Sequence, residues 1–551
     1  MPDRPRPSLD GYDVLVVGSG PTGLLAACEL LRRGVRVRLI DRALEPSSVP
    51  KALSLWPRAL DILADLGLAE PVQAESIRIN AFSYYSDRTA LATFRFLPGL
   101  ASRILPQPVT ERLLTERLSA LGGKIERGVR LLCIDDATMS GGAADTDGVS
   151  VLLEHADGTL ERARVPFVVG ADGAGSAVRG QIGAGFQGST YERGFALIDA
   201  RIDGFLPRDE VSYYQAAGGT LVIVPQPDGV FRFLTALAPT ATELSVEMMQ
   251  SVVDHHGPRG VRITDPVWQT VFRVHARQAT EFQRGRVFLA GDAAHVHSPA
   301  GGQGLNNGLQ DAHNLAWKLA AVIHGDSPES LLNSYTLERA AATRRIVRDT
   351  DVQTRAWMVN GRLRLIARDA AFRALDASGA VSRWYTPVMA GRRLAYPATR
   401  QTQHPGGPAI CTVRRRLPAG VKVGAVFPPD LAASCGMRGG SDLSAWTLAV
   451  LSPAEDTSWL SAPRWLAASR PRLRIIRIPM SAGAADLGCQ QAGYYLVRPD
   501  GHIAAHGHRG DLDRLRHELD QVLLPTVAHH CSAFGYRRDI TLRSSVPSQR
   551  S

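Results

Sequence analysis

The first strong pattern along the chain is an apolar run, a glycine-rich turn and an amphipathic stretch. Residues 14–17 form a β-type apolar run that ends at the segment GSGPTG, residues 18–23. Apolar residues at helical spacing follow as far as Gly34, which ends the helix. A second apolar run, residues 35–40, leads to Asp41. This order predicts a strand, a helix and a second strand, that is, a βαβ unit.

The rest of the chain continues to mix helical and strand patterns. The pattern predicts helices near 60–68 and 110–121, strands near 129–134 and 149–153 joined by a loop at 141–148, a strand ending at Gly170, a β-rich stretch at 186–270, and mainly helices at 308–395. Proline and glycine become frequent at 397–420, which predicts a linker. Strands and helices then alternate to about residue 545, and the tail RSSVPSQRS is expected to be disordered.

A second glycine-rich segment lies far downstream, in VFLAGDAAHVHSPAGGQGLNNG. We expect a buried strand at 287–290, a break at Gly291 and Asp292, and a helix from Asn307 or Gly308. Residues 299–304 carry almost no side chains, as a flat ring needs if it is to lie against the main chain. The N-terminus of the helix that follows has unpaired N–H groups and partial positive charge.

The two segments together predict a flavin dinucleotide site. In a dinucleotide fingerprint Gly18 permits the tight turn, Gly20 the approach of a diphosphate, and Gly23 the packing of helix on strand. Asp41 is placed to bind the adenosine ribose, and Asp292 a ribityl hydroxyl. A plain βαβ unit, and an Asx turn or helix cap at Asp292, are the alternatives. Of the two GxGxxG runs, at 18–23 and 183–188, only the first follows a predicted strand and opens a predicted helix, which disfavours a separate nicotinamide domain.

Composition and charge exclude several classes of protein. The 551 residues are 44% hydrophobic and 21% charged, with no apolar run long enough for a membrane span and no secretory leader, so we expect a cytoplasmic protein. The net charge of +10 is spread along the chain, which favours attraction of small anions over nucleic-acid binding. The six cysteines are too scattered for a disulfide framework or a metal knuckle.

Other catalytic motifs are missing or incomplete. His295 and His297 have HxH spacing but no accompanying acid or cysteine cluster, so no metal site is predicted. The chain has no GxSxG elbow of a serine hydrolase and no GxxxxGK[ST] loop of a nucleotide triphosphatase.

Three separated stretches resemble one family, the single-component FAD-dependent aromatic hydroxylases, or group A flavoprotein monooxygenases. They are GSGPTG, GADGAGSAVR and GDAAHVHSPAGGQGLNNGLQDAHNLAWKLA, supported by PQPVTE and LLNSYTLER. The resemblance covers about residues 10–345. It extends more weakly to YYLVRPDGHIAAHG, which is similar to the end of the thioredoxin-like C-terminal domain of phenol hydroxylase and aromatic polyketide hydroxylases.

The resemblance implies a mixed α/β fold in four parts. These are a Rossmann-like FAD-binding domain, first part at 1–185 with a piece of the substrate domain near 80–105; a β-sheet substrate domain at 186–270; the second part of the FAD-binding domain with a helical segment at 271–396; and a thioredoxin-like domain at 397–551. The last part has no CxxC, so we expect it to serve a structural or subunit-contact role.

The resemblance also implies a set of cofactor-binding residues. They are Gly18, Gly20, Pro21, Thr22, Gly23, Asp41, Arg42, Lys51, Gln107, Leu131, Asp172, Gly173, Asp292, Pro299, Gly302, Gly304, Leu305 and Asn306. Two positions depart from the family pattern. Asp41 stands where Glu is commoner, and Lys51 where Arg is frequent, which loses a two-pronged contact with the diphosphate.

The implied activity is hydroxylation of a phenolic or polycyclic, natural-product-like aromatic compound by FAD, NADPH or NADH, and O2, through a flavin C4a-hydroperoxide. Baeyer-Villiger insertion on the same scaffold and a non-catalytic flavin or aromatic-ligand carrier stay open. A flavin halogenase is disfavoured because WxWxIP is absent. No catalytic base is identified; Tyr213, Tyr214, Gln226, Phe233 and His275 are candidates for the substrate pocket, although strand aromatics are more often core. Both a monomer and a homodimer are compatible with the sequence.

Overall fold

The computed structural model describes most of the chain. The described residues are 11–86, 88–135, 148–216, 219–237, 244–357, 359, 361–397, 422–437, 443–452, 461–479, 487, 492–508 and 511–524. Most of the predicted loop at 141–148, the predicted linker apart from its first residue, and the predicted disordered tail lie outside these residues. Cys411, Cys489 and Cys531 lie outside them as well, whereas Cys28, Cys133 and Cys435 are free thiols.

Strands are numbered here in chain order. They are β1 (Val14–Val17), β2 (Val37–Asp41), β3 (Ser54–Leu55), β4 (Ile77–Ile79), β5 (Ala81–Ser86), β6 (Thr89–Arg95), β7 (Ser102–Ile104), β8 (Ile125–Arg127), β9 (Arg130–Ile134), β10 (Val149–Glu154), β11 (Leu160–Val165), β12 (Phe167–Gly170), β13 (Phe186–Asp203), β14 (Glu210–Ala216), β15 (Gly219–Pro225), β16 (Phe231–Ala236), β17 (Arg262–Ala279), β18 (Gln283–Arg284), β19 (Val287–Leu289), β20 (His295–Val296), β21 (Trp446–Ser452), β22 (Leu473–Pro479), β23 (Gly493–Val497) and β24 (Ile503–His508).

The α-helices are numbered in the same way. They are α1 (Pro21–Leu31), α2 (Pro57–Asp65), α3 (Ala69–Glu75), α4 (Gln107–Ala120), α5 (Ala177–Gln181), α6 (Val246–His256), α7 (Gly304–Ile323), α8 (Asn333–Trp357), α9 (Arg362–Ser378), α10 (Thr386–Met389), α11 (Pro429–Ser434), α12 (Ser461–Ala468) and α13 (Leu512–Val522). The mixed α/β fold predicted from the sequence is confirmed.

The six-stranded sheet forms the nucleotide-binding half of the molecule. Its order is β18-β19-β12-β1-β2-β8, and β1 is parallel to both β2 and β12. β1 is buried along its whole length, as expected for a parallel strand covered on both faces. Helix α1 begins with Pro21 at its first turn, where a missing N–H costs nothing. The strand ends and the start of α1 therefore meet at one edge of this sheet, the usual place for a ligand in such folds.

The eight-stranded sheet forms a wall opposite that edge. Its order is β20-β17-β13-β16-β15-β14-β5-β6, so the β5–β6 hairpin joins strands that lie far along the chain. The sheet therefore draws on residues 81–95, 186–279 and 295–296. The division of the chain into the four parts given above stays a prediction.

The C-terminal unit has the topology of a thioredoxin-like fold. Its sheet order is β22-β21-β23-β24, with β22 parallel to β21 and the other two pairs antiparallel. Helix α12 connects the parallel pair, and α13 follows the hairpin. Trp446 of this unit packs edge to face on Trp317 of α7, with 5.7 Å between ring centroids. This contact continues the apolar core from one unit into the other.

Helices α4 and α7 begin earlier than the sequence predicts, as does α2, which was expected near residue 60 and begins at Pro57. Helix α4 was expected from residue 110 and begins at Gln107; α7 was expected from residue 307 or 308 and begins at Gly304. The second difference arises because residues 300–302 form a 3₁₀ turn with Gly301 at φ 70°, which brings the chain into helical conformation sooner. None of the described helices is long and apolar enough to cross a lipid bilayer.

Candidate functional site

One large cavity lies between the edge of the six-stranded sheet and the eight-stranded sheet. Its volume is about 1170 Å³, above the roughly 300–1,000 Å³ of ordinary ligand pockets. It runs from the glycine-rich loop after β1 to the apolar face of β13–β17. It therefore has room for an extended dinucleotide and a second organic molecule.

The loop after β1 is shaped by two glycines with different neighbours. Gly18 has φ 103°, and a Cβ there would lie 2.4 Å from the Ala171 carbonyl oxygen. A Cβ on Gly23 would lie 1.9 Å from the Gly18 carbonyl oxygen. Gly20, in contrast, has no atom within 4 Å of its would-be Cβ and lines the cavity. Gly18 and Gly23 thus allow close contact between backbone segments. Gly20 leaves bare backbone beside the start of α1, where N–H groups favour an anion.

Asp41 ends β2 and binds the same loop. Its Oδ2 accepts hydrogen bonds from the Ser19 amide at 2.6 Å and the Ser19 hydroxyl at 2.7 Å. Its Oδ1 accepts one from the Ala43 amide at 2.8 Å. Arg127, opposite Asp41 in the β2–β8 register, lies with Nη1 3.4 Å from the Ser19 hydroxyl oxygen. The carboxylate is therefore held at the cavity edge next to a guanidinium and the side chain of Arg42, which also lines the cavity.

Gln107 and Lys51 line the middle of the cavity. The Gln107 Oε1 accepts from the Ala52 amide at 3.2 Å, and its Nε2 donates to Glu111 Oε1 at 2.9 Å. Burial raises the pKa of Glu111, although Gln107 and the charge of Lys51 oppose that rise. Leu131, which is buried, completes this side of the lining.

Asp172 and Gly173 lie at the carboxyl end of β12. The Asp172 carboxylate accepts hydrogen bonds from the Ser176 hydroxyl at 2.5 Å and from the amides of Ala177 and Val178 at 2.7 and 3.2 Å. These bonds make it a cap for the start of α5, in addition to lining the cavity. Gly173 has φ 82° and open space at its would-be Cβ.

Asp292 lies in a turn set by Gly291, whose φ is 61°. The Gly291 amide donates to Asp311 Oδ2 at 3.0 Å, which orients the turn. The Asp292 side chain is reached by solvent through the cavity but is surrounded by protein at depth. Burial raises the pKa of its carboxyl, opposed by the charges of His295 and Lys51. An acceptor for hydroxyl groups thus faces the cavity 251 positions beyond Asp41 in the sequence.

The two glycine-rich segments contact each other directly through Thr22. A Cβ on Gly291 would lie 2.5 Å from Thr22 Oγ1, and one on Gly308 would lie 2.4 Å from the same atom. Thr22, in the first turn of α1, is therefore enclosed by two glycines of the late segment. This contact brings the predicted diphosphate and ring-binding segments into one site.

Residues 299–305 form the floor expected for a flat ring. Pro299, Gly302, Gly304 and Leu305 line the cavity. A Cβ on Gly302 would lie 2.6 Å from the Ser54 Cβ, so a larger residue would displace β3. Asn306 and Gly23 do not line the cavity. The Asn306 amide donates to the carbonyls of Ser54 and Gly302 at 2.8 and 2.7 Å and accepts from the Trp56 amide at 2.7 Å, so it braces the floor from behind.

The far end of the cavity is apolar. Its lining includes Phe82, Leu197, Val211, Tyr213, Val222, Leu234, Trp268, Phe272 and Val274. Tyr213 stacks on Tyr84 with 4.6 Å between centroids and meets Phe82 edge to face at 5.5 Å. Burial raises the pKa of the Tyr213 phenol, so it stays neutral. A planar apolar molecule would be enclosed here and shielded from water.

The other pocket candidates from the sequence divide by strand face. His275 lines the cavity, where its Nδ1 lies 2.8 Å from the Thr190 hydroxyl oxygen. Tyr214 and Phe233 point to the opposite side of the sheet, into a core with Met249. Gln226 is buried outside the lining. Alternation along β14 thus separates Tyr213 from Tyr214.

The HxH pair is occupied by local partners. His295 Nε2 lies 2.6 Å from Asp311 Oδ2, and His297 Nδ1 lies 3.1 Å from the Ser298 carbonyl oxygen. Burial lowers the pKa of His297 to about 4, so its ring is neutral. Within the described part of the chain no group of three or more His, Cys, Asp or Glu side chains is placed to hold a metal ion.

Sequence reasoning missed three residues of the site. Arg127 adds positive charge beside the glycine-rich loop, and Ser54 supports Gly302. Arg232 pairs with Asp199 at 2.8 Å and donates to the Lys51 carbonyl at 3.2 Å, which ties the large sheet to the Lys51 loop. None of the three had a local sequence signal; Arg127 reaches the site because β8 pairs with β2, with Arg127 opposite Asp41.

The chain is similar to known proteins over most of its length. The family model described as FAD binding domain matches residues 11–350. The 6-methylpretetramide 4-monooxygenase of Streptomyces rimosus is 34% identical over 544 residues, which are 94% of this chain and 95% of the relative. The solved structure of the OxyS anhydrotetracycline hydroxylase of Streptomyces rimosus matches with a TM-score of 0.70 at 27% identity, over 93% of this chain and 99% of that one. Aklavinone-11 hydroxylase, solved with FAD and aklavinone, matches with a TM-score of 0.70 at 26% identity over the same shares.

Gly23 and Gly20 have different neighbours, so we expect their substitution to affect stability and FAD binding differently. Gly23→Ala should lower the stability of the apoprotein by about 3 kcal/mol, because the methyl group meets a backbone oxygen. Gly20→Ala should change that stability by less than about 0.5 kcal/mol but weaken FAD binding, because its methyl projects into the cavity. Thermal unfolding of both apoproteins and FAD titration check this. Equal unfolding temperatures for the two variants would contradict it.

The raised pKa of Asp292 predicts a stability effect with a definite sign. A carboxyl whose folded pKa exceeds its unfolded pKa destabilises the fold when ionised, so Asp292→Asn should raise the unfolding temperature of the apoprotein at pH 7. The gain should shrink as pH falls through the raised pKa, where both side chains are neutral. Asp172→Ala is the control and should cost about 1 kcal/mol, because it removes a helix cap. Unfolding curves from pH 4.5 to 8 measure both, and a loss of stability in Asp292→Asn at pH 7 counts against the assignment.

Proposed function

The chain belongs to the FAD-binding-domain family and is an FAD-dependent aromatic hydroxylase. From this premise we propose that its substrate is a multi-ring phenolic or quinone compound, which it hydroxylates with NADPH or NADH and O2. The observation that carries this proposal is the single cavity that joins the glycine-rich loop, Asp292 and the apolar sheet face. The polyketide substrates named for the relatives support the multi-ring class.

The residues of the cavity fit FAD. Gly20 leaves open space beside the start of α1 for the diphosphate, and Arg127 and Lys51 supply positive charge along that path. Asp41 would bind the adenosine ribose after exchanging its Ser19 contacts, and Asp292 would accept from the ribityl chain. The backbone of residues 299–305 would lie under the ring system. When bound, FAD supplies hydride acceptance and oxygen activation, which side chains lack.

The apolar wall would hold the substrate and exclude water from the reacting centre. Tyr213, Phe82 and Phe272 offer ring faces and edges to a planar molecule, which favours stacking over polar recognition. Water must be excluded because solvent at the reacting centre permits side reactions that compete with transfer of oxygen to the substrate. No side chain of the lining is assigned as a catalytic base.

Two other functions were open from the sequence. Baeyer-Villiger insertion would use the same cavity, and a non-catalytic carrier would use only its binding properties. The relatives named as monooxygenases and hydroxylases do not favour either of them.

The proposal is tested on the purified protein as it exists. We expect a yellow protein with bound FAD, NAD(P)H consumption that rises when a multi-ring phenol or quinone is added, and a product that gains one oxygen with its rings intact. A lactone product would instead show ring insertion. Binding of the compound without any rise in NAD(P)H consumption would show a carrier, and a protein unable to bind FAD would overturn the proposal.

Neighbouring tyrosines give a matched test of the substrate wall. Tyr213→Ala removes a ring from the cavity and should raise KM and divert NAD(P)H consumption from product formation, because the substrate loses a stacking partner. Tyr214→Ala removes an equally large buried ring on the other face of β14 and should lower stability while leaving KM unchanged. Steady-state kinetics with product analysis measures both. A KM change of similar size in both variants would refute this placement of the substrate.

A further inference from the structure

Buried charges join the C-terminal unit to the helices of the FAD-binding half. Arg498, just after β23, donates to both oxygens of Glu338 in α8, at 2.6 and 2.9 Å. Lys318 of α7 donates to the same carboxylate at 2.8 Å. All three side chains are almost fully buried. The charges of Arg498 and Lys318 outweigh the burial of Glu338 and lower its pKa to about 2, so this carboxyl is ionised.

Asp500 completes the contribution of the C-terminal unit. Its carboxylate accepts from Arg498 Nε at 3.0 Å and from the Asn314 amide of α7 at 3.3 Å. Its carbonyl accepts from Arg58 of α2 at 2.5 Å. The turn between β23 and β24 therefore contacts three helices of the other half through charged or polar groups.

The next residue of α8 carries the contact onward. Arg339, adjacent to Glu338, donates from Nε to Asp311 Oδ1 at 2.6 Å. Its Nη1 donates to the Tyr396 hydroxyl at 3.2 Å, and Tyr396 stacks on His502 of the C-terminal unit with 4.3 Å between centroids. Arg339 is thus held from two sides by elements that contact the C-terminal turn.

Asp311 connects Arg339 to the glycine-rich segment that contains Gly291 and Asp292, here called the cofactor segment. Its Oδ2 accepts from the Gly291 amide at 3.0 Å, the residue before Asp292. Burial favours the neutral form of Asp311, but Arg339 and His295 outweigh it and lower the pKa. The bond to Gly291 therefore depends on an ionised, fully buried carboxylate that Arg339 holds in place.

A buried ion pair that loses one partner leaves an uncompensated charge, which is costly enough to shift neighbouring elements. Removing Arg498 would leave Glu338 with Lys318 and the Asn314 amide, and would take the guanidinium away from the Asp500 carboxylate. Any shift of Glu338 that follows this loss would also shift Arg339, the next residue of α8.

We propose that Arg498 and Asp500 are positioning residues for the cofactor site: through Glu338 and Arg339 they hold Asp311 against the Gly291 amide and so set the direction of the Asp292 carboxylate. The thioredoxin-like unit, which has no CxxC, thereby acts on the cofactor segment from outside the cavity. The inference rests on the proposed function only in that Asp292 contacts FAD.

Hydrogen exchange of the full-length apoprotein tests the coupling without the cofactor. In Arg498→Met we expect the Gly291 amide to exchange at least about fivefold faster, the lower end of usual coupling effects. The matched control is Arg470→Met, which removes a buried arginine of the same unit that pairs with Asp520 within that unit. The control should lower stability but leave exchange at Gly291 unchanged. Equal exchange at Gly291 in both variants and wild type overturns the proposal.

FAD affinity and a conservative variant give the second readout. Arg498→Met should raise the Kd for FAD at least about fivefold, and Arg498→Lys should recover part of that loss because it keeps the charge. If Arg498→Met does not fold, Asp500→Asn, which keeps the shape of the side chain, takes its place in both measurements. Unchanged Kd with faster exchange limits the coupling to the turn and overturns the role at the cofactor. Failure of the wild type to bind FAD defeats the proposed function, while the exchange comparison still decides the coupling.

Discussion

The enclosure of Thr22 by Gly291 and Gly308 is the contact that makes one site out of two distant parts of the sequence. Any Cβ at either glycine would lie within about 2.5 Å of the threonine hydroxyl oxygen, so the segments approach as closely as backbone allows. Because Thr22 lies in the first turn of α1, this contact also fixes where the N–H groups of that turn point relative to Asp292. Loosening it would separate the diphosphate end of the cavity from the ring end.

Close backbone approach of this kind needs rigid support, and the structure provides it with buried polar bonds. Asn306 bonds the backbone of Gly302 in the floor and the backbone of Ser54 and Trp56 behind it. Asp311 bonds the Gly291 amide while pairing with Arg339. A charge buried without partners would be expensive, so these groups occur in compensated sets. The geometry of a glycine-rich site thus depends on side chains that do not themselves line the cavity.

What the sequence could predict follows from how local each feature is. Gly18, Gly23 and the βαβ order act within some 30 residues, so their pattern identifies the turn. Asn306 was expected beside the ring system. Its partners Ser54 and Trp56 lie about 250 positions away, and no local sequence pattern predicts these contacts. For Tyr213 and Tyr214 the alternation was readable, whereas the choice of face was not, because it depends on which side of the sheet packs against the other half.

The C-terminal unit shows why an absent motif does not make a domain inert. Without CxxC it has no thiol chemistry to offer, yet its β23–β24 turn supplies both a cation and an anion to a buried cluster in the other half. Replacing such a cluster with apolar residues would often cost little stability, so its value lies in fixing one arrangement of α7 and α8 rather than in binding the units tightly. Burial of apolar surface, as around Trp317 and Trp446, can hold the two units together, but the hydrophobic effect itself is not directional. The charged turn fixes how the two units align at their interface. Glu338 and Arg339, two successive residues of α8, connect that alignment to the cofactor segment.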